Sequence, residues 1–282
     1  MADKFDYIII GSGSAGSALA YRLGESGKHR ILVLEYGSSD VGPFIQMPAA
    51  LSYPMNMKRY DWEYLAEPEA SLDGRQLVCP RGKVLGGSSS INGMIYVRGN
   101  AGDYDHWQDV GAQGWSYADV LPYFRRMEHA HGGAAGWRGT NGPLHVTRGP
   151  RDNPLHDAFV KAATEAGYQA VDDYNGYRQE GFGAADMTVW RGRRWSAANA
   201  YLRPALRRGN VKLITGALVE KILIDGSTAT GIAYWKAGRR HEAIARAEVV
   251  LAAGAINSPQ IMQRSGVGPG AVLQNAGVDV VL

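Results

Sequence analysis

The chain is predicted to be an α/β protein with a doubly wound, largely parallel sheet, accompanied by part of a second, smaller α+β region. Three observations predict it. A short apolar strand runs straight into G-x-G-x-x-G at Gly11, Gly13 and Gly16. A second apolar strand ends on an acid, Glu35. Further strands return only after residue 210, beyond a long stretch of helical and irregular pattern.

Phe5 to Ile10 is apolar and rich in β-branched residues, which reads as a buried parallel strand. Ala15, Ala18, Leu19, Ala20 and Leu23 follow at helical spacing, and Ile31 to Leu34 forms the second strand. From Tyr36 to Val78 the pattern is irregular and rich in Pro, Met and Tyr, the kind of excursion that is usually functional in a compact domain. A Gly/Ser-rich segment, Pro80 to Gly99, comes next. Asp103 to His129 reads as helix in two pieces, Gly132 to Gly142 as a loop, and Pro154 to Gly167 as an amphipathic helix with Leu155, Phe159, Val160 and Ala163 on one face. Strands are expected at Val211–Ile214, Leu218–Ile224, Thr230–Trp235 and Glu248–Ala253, with turns at Asp225-Gly226 and Gly238. A short helix, Asn257 to Ser265, is expected with Pro259 in its first turn. The apolar run Gly277 to Leu282 resembles a strand.

The opening segment carries its own chemistry. Gly11 permits the tight strand-to-helix turn, Gly13 lets the backbone approach a pyrophosphate, and Gly16 lets the helix pack on the strand. The helix N-terminus offers unpaired N–H groups and a positive dipole end to phosphate. A carboxylate at Glu35 can accept hydrogen bonds from both ribose hydroxyls and would repel a 2′-phosphate. NAD or FAD is therefore favoured over NADP. In LGGSSSINGM the glycines allow close approach to a flat ring, and hydroxyls and N–H groups supply hydrogen bonds.

Composition narrows the remaining classes. With 282 residues and 45% hydrophobic content the chain can bury one large core or two modest ones. The net charge is +3 and Lys and Arg are scattered, so no nucleic-acid surface is expected. That charge is compatible with weak attraction to an anionic membrane surface. Cys79 is the only cysteine, which excludes an intrachain disulfide. No charged-then-apolar leader precedes the first strand and no apolar run has spanning length, so the expected location is the cytoplasm, with peripheral contact to the inner membrane allowed.

PRGKVLGGSSSINGMIYVRG and GAINSPQIMQRSGVGP resemble the two signatures of the glucose–methanol–choline family of flavin oxidoreductases. The similarity runs along essentially the whole chain. Within that family the phrases MPAALSYPM, KRYDWEYLAEPE, SINGMIYVRGNA, DDYNGYRQEGFG and RRWSAANAYL resemble bacterial choline dehydrogenases. The resemblance implies a Rossmann-like domain holding FAD, at residues 1–154 and 211–282, with 155–210 as part of a substrate-binding domain. It implies that Gly11, Gly13, Ser14, Gly16 and Glu35 hold the ADP half. Arg81, Gly86, Gly87, Ser88, Asn92, Gly93 and Met94 would lie along the pyrophosphate and isoalloxazine, and Val219 would present its backbone to the adenine. Some family oxidases tether the flavin through a histidine where Ile91 stands here, and an aliphatic side chain cannot form that bond, so the FAD is expected to be noncovalent. LEYG, with Tyr36, departs from the usual LEAG.

The implied reaction is oxidation of a small primary alcohol, choline to betaine aldehyde foremost, by hydride transfer to flavin N5, with electrons passing to a quinone or other carrier. Aliphatic or aromatic alcohols, oxygen as acceptor, and a non-catalytic flavin-binding fragment or subunit stay open. The family's catalytic His and its His or Asn partner are expected beyond residue 282, the family being about twice this length. None of the histidines present, His29, His106, His129, His131, His145, His156 and His241, matches that motif, and no catalytic residue is assigned. His129-x-His131 suggests a metal pair without an evident third ligand, and no metal is assigned. For a trimethylammonium head, Tyr60, Trp62, Tyr64, Tyr174 and Trp190 are suitable aromatic types.

Overall fold

The computed structural model describes residues 3–282. Along the chain the main strands are β1 (Asp3–Ile10), β2 (Ile31–Glu35), β3 (Glu128–Ala130), β4 (Leu144–Arg148), β5 (Val211–Thr215), β6 (Leu218–Asp225), β7 (Thr228–Lys236) and β8 (Arg239–Leu251). The main helices are α1 (Ser14–Leu23), α2 (Ala101–Asp109), α3 (Tyr117–Met127), α4 (Pro154–Glu165), α5 (Gly254–Arg264) and α6 (Gly270–Asn275).

The chain divides into two compact units, one of residues 1–92 and 196–282 and the other of residues 93–195. The sequence places the divisions at 154/155 and 210/211 instead. The physical reason is that the stretch 93–154 carries its own sheet strands, β3 and β4, and pairs them with Asp186–Met187. It therefore closes on residues before 195 rather than on the dinucleotide-type sheet.

The first unit is built on a six-stranded sheet in the order β5-β2-β1-β8-β7-β6. β5, β2, β1 and β8 run parallel, and β7 and β6 add antiparallel pairs at one edge. Strand side chains alternate between faces, and both faces are buried. Ile8, Ile10, Leu32 and Leu34 pack with Ile232 of β7 and Ile261 of α5. Ile9, Ile31 and Val33 pack on the other face with Ala20 of α1 and with Leu202 and Ala205. This two-sided burial is the doubly wound arrangement expected from continuous apolar strands.

The second unit is α+β. β3 and β4 pair in parallel and Asp186–Met187 joins antiparallel. Its helices start at side-chain caps: the Asn100, Ser116 and Asn153 oxygens accept from the amides of Gly102, Asp119 and Leu155. Each cap satisfies an amide that the first helical turn leaves unpaired.

Several local expectations are corrected. Glu128–Ala130, placed in a helix with His129, is strand β3. Glu248–Ala253 is the end of the 13-residue β8, which stops at Leu251. α5 begins at Gly254, so Pro259 lies inside the helix rather than in its first turn. Gly277–Leu282 pairs with no strand among the described residues, and the amides of Val281 and Leu282 donate to the Gly266 carbonyl. Among the described residues no helix is long and apolar enough to cross a membrane.

Candidate functional site

The parallel sheet of the first unit carries a cavity of about 620 Å³ at the C-terminal ends of β1, β2 and β8. That position is where open α/β sheets bind ligands, and the volume is within the ordinary range for small-molecule and cofactor sites. Its wall joins the segments singled out in the sequence. Gly11, Gly13, Ser14 and Ala15 come from the β1–α1 turn and Glu35 from the end of β2. Arg81, Gly82, Gly87 and Ser88 come from the Gly/Ser segment, Val219 from β6, and Leu251 to Ser258 from the β8–α5 turn.

The glycines divide by cause. Gly11 has φ +97°, and a Cβ there would sit 2.5 Å from the Ala252 carbonyl oxygen. A Cβ on Gly16 would lie 1.9 Å from the Gly11 carbonyl oxygen, so Gly16 is required for packing and does not itself line the cavity. Gly13 differs: its φ is −69°, and a Cβ would meet nothing nearer than Gly87 Cα at 3.9 Å. Neither backbone strain nor the protein's own packing demands glycine at this cavity-lining position, and a side chain would fill the cradle. The first turn of α1 has no side-chain cap, so its amides stay available beside that cradle. This fits a dinucleotide pyrophosphate.

Glu35 is buried at the end of β2. Its Oε2 accepts from Ser12 N at 3.0 Å and Ser12 Oγ at 2.8 Å, and its Oε1 accepts from Gly37 N at 2.8 Å. Burial raises the Glu35 carboxyl above its ordinary value, while the Gly37 and Ser12 hydrogen bonds pull it back toward the ionised form. Each carboxylate oxygen has acceptor capacity beyond these bonds.

An aromatic wall stands beside Glu35. Tyr36 stacks on Trp62 with ring centroids 5.1 Å apart, and Trp62 stacks on Tyr64 at 6.1 Å. The Tyr64 hydroxyl donates to Asn257 Oδ1 of α5 at 2.5 Å, tying the wall to the third segment. Tyr36, Trp62, Tyr64 and Asn257 all line the cavity. Sequence reasoning offered Trp62 and Tyr64 only as aromatic types for a trimethylammonium group. Their i, i+2 spacing in an extended stretch was the available signal that they share a face.

The other anticipated residues fall as follows. Ser88 lines the cavity and its Oγ accepts from Gly82 N at 3.0 Å. Gly86 (φ +85°) and the exposed Asn92 belong to the first unit but not to the cavity wall. Gly93 and the buried Met94 (φ +64°) belong to the second unit, where Thr188 N donates to the Met94 carbonyl at 2.8 Å. Tyr60 is a core residue of the first unit. The Tyr174 hydroxyl donates to the Tyr96 carbonyl at 2.7 Å, and Trp190 stacks on His131 and His145, both within the second unit. No histidine lines the cavity among the described residues.

Comparison with known proteins bears on this cavity directly. The chain is 60% identical over 275 residues to the oxygen-dependent choline dehydrogenase of Rhizobium meliloti (strain 1021), covering 98% of this chain and 50% of that protein. It is 62% identical over 277 residues to the protein of the same name from Brucella anthropi, again covering 98% and 50%. The chain thus spans about half the length of the curated relatives it matches. Among solved structures, pyridoxine 4-oxidase from Mesorbium loti superimposes with a TM-score of 0.93 at 35% identity, over 98% of this chain and 55% of that one. Formate oxidase of Aspergillus oryzae RIB40, studied for its FAD modification, superimposes with a TM-score of 0.89 at 25% identity over 100% and 51%. With the GMC oxidoreductase sequence model matched from residue 5 to residue 276, the chain binds FAD and belongs to the GMC oxidoreductase family.

Proposed function

We propose that the chain is the flavin-holding half of an enzyme that oxidises a primary alcohol, choline foremost, to its aldehyde. The observation that carries the reading is the single cavity walled by all three signature segments, with a glycine at Gly13 that only a ligand requires. The names of the Rhizobium and Brucella relatives support choline as substrate. When bound, FAD supplies a two-electron acceptor for the hydride that leaves the alcohol carbon while the hydroxyl proton goes to a base.

The residues of this chain bind and orient. The α1 amides and Gly13 receive the pyrophosphate, Glu35 accepts from ribose hydroxyls, and Tyr36 and Trp62 exclude water beside them. Arg81, Gly86, Gly87, Ser88, Asn92, Gly93, Met94 and Val219 are proposed as further FAD-binding residues. Ile91 is buried and aliphatic, which supports a noncovalent flavin. Because no histidine lines the cavity among the described residues, the base is assigned outside this chain. The same observation favours a second reading, a flavin-binding subunit without turnover of its own.

Anaerobic bleaching of the flavin tests the substrate. In the full-length polypeptide carrying this sequence, choline is expected to bleach it and aliphatic and benzylic alcohols to do so far more slowly. Equal bleaching by all three removes the choline assignment. Residues 1–282 alone are expected to retain flavin without turnover, and turnover there would show that the base lies within them. The proposed acceptor is a quinone-type carrier. The relatives' name, with its oxygen dependence, supports oxygen instead, and oxygen uptake measured against reduction of a quinone analogue decides between them.

A further inference from the structure

The second unit brings together three imidazoles that the flavin chemistry does not use. His129 lies on β3 and His131 directly follows it, so their i, i+2 spacing puts both on one face. His145 on β4 is the parallel register partner of His129. The pairing continues past β3, where His131 N donates to the Val146 carbonyl at 2.9 Å. The backbone therefore dictates the cluster: neighbouring strands lie about 4.8 Å apart, and the third histidine, not evident from the sequence, arrives from a strand fourteen residues on.

One ring nitrogen from each of His129, His131 and His145 lies within 4.8 Å of the others. His131 Nε2 and His145 Nδ1 are 2.9 Å apart. Those two rings lie on the indole of Trp190, with centroids 4.0 and 4.5 Å away and planes within 11° and 5° of it. His129 stacks on His131 and lies tilted against His145, both with centroids 4.6 Å away. Trp195 meets His145 edge-on at 5.1 Å and limits its rotation. The rings are thus held before any ion arrives. A tetrahedral zinc ion with Zn–N near 2.0–2.1 Å needs its nitrogen donors about 3.3 Å apart, so changes of up to about 1.5 Å in the nitrogen separations complete the set.

We propose that His129, His131 and His145 form a binding site for a divalent transition-metal ion of the zinc, copper or nickel class. The donor chemistry selects that class: imidazole suits these ions, and the cluster offers none of the oxygen ligands that calcium or magnesium requires. His131 is exposed, so the fourth position opens to solvent and takes water. The Arg191 guanidinium, which sits over Trp190 with 5.5 Å to the ring centroid, opposes a cation and sets the affinity below that of a closed structural site. A bound ion would cross-link β3, the residue after it, and β4.

The test uses chelator-treated, untagged chain titrated calorimetrically with zinc chloride. The expected result is one ion per chain with a dissociation constant in the micromolar range or tighter, and a melting temperature raised by zinc chloride but not by magnesium chloride. His131→Ala, at an exposed position, and His145→Ala are each expected to weaken binding at least tenfold. Their far-ultraviolet spectra and metal-free melting report whether each variant folds. Cobalt(II) chloride gives an independent readout, with ligand-field bands that disappear in both variants. Absence of binding below millimolar zinc, or equal affinity in the folded His131→Ala chain, overturns the site.

Discussion

Gly13 and Gly16 stand three residues apart, yet they are glycine for different reasons. A Cβ at Gly16 collides with the Gly11 carbonyl oxygen at 1.9 Å, whereas one at Gly13 has only Gly87 Cα at 3.9 Å. Gly16→Ala is therefore expected to destabilise the chain by about 3 kcal/mol or more, an overpacking cost inside a fixed turn. Gly13→Ala should leave the melting temperature of the flavin-free chain nearly unchanged and weaken FAD retention about tenfold or more, since it fills space meant for the ligand. Flavin absorbance after gel filtration, alongside flavin-free melting, checks both. Loss of stability in Gly13→Ala would sink the distinction. Glu35 gives a second test at this scale. Its folded carboxyl is raised above 4.5 chiefly by burial, so the folded chain holds a proton that the unfolded chain releases. The contribution of Glu35 to flavin-free stability is full below pH 4.5 and is lost as pH rises through the folded value. Glu35→Gln should flatten that slope, whatever constant offset the amide introduces. An unchanged pH profile of urea midpoints would show that the folded Glu35 carboxyl titrates as it does in the unfolded chain.

At the scale of elements, β3 carries both faces of the second unit's chemistry. Beside His129, the fully buried Glu128 accepts from Arg98 Nη2 at 2.6 Å, from Arg138 Nε at 3.0 Å and from Gly139 N at 2.8 Å. Arg138 also reaches Asp173 at 2.7 Å and Asp186 at 2.8 Å. Removing one partner of a buried ion network leaves uncompensated charge, so Glu128→Ala should cost about 3–5 kcal/mol, read by chemical denaturation. A cost below about 1 kcal/mol would mean that water enters the network. This network also shows why part of the fold was illegible. The local elements are legible directly, because the continuous apolar runs of β1 and β2 and the Asn153-Pro154 start of α4 are local signals. The short β3, charged and histidine-bearing, has no apolar period and is a strand only because β4 pairs with it. In the same way, the glycine turn was legible as geometry fixed within a few residues. Trp62, Tyr64 and Asn257 were not, because a hydrogen bond spanning 193 residues brings them to one wall.

At the scale of the whole chain, the walls of the cavity come only from residues of the unit formed by 1–92 and 196–282. A ligand that binds the folded state stabilises it by RT ln(1 + [L]/Kd), about 2.7 kcal/mol at a hundredfold excess over Kd. Amides that exchange only when the binding unit opens should then slow by up to about a hundredfold, whereas those released by openings elsewhere keep their rates. On adding FAD, slowing is expected in β1, β2 and the first turns of α1 and α5, whose residues line the cavity or lead into it. The amides of β3 and β4 should respond far less, because their ladder joins residues of the other unit alone. Zinc chloride should give the complementary pattern, slowing β3 and β4 while leaving β1 and β2 unchanged. Hydrogen exchange read by mass spectrometry on one sample with either ligand compares the two directly. Equal slowing of all these strands by FAD would mean that the units open as one, and the energetic division between them would fall.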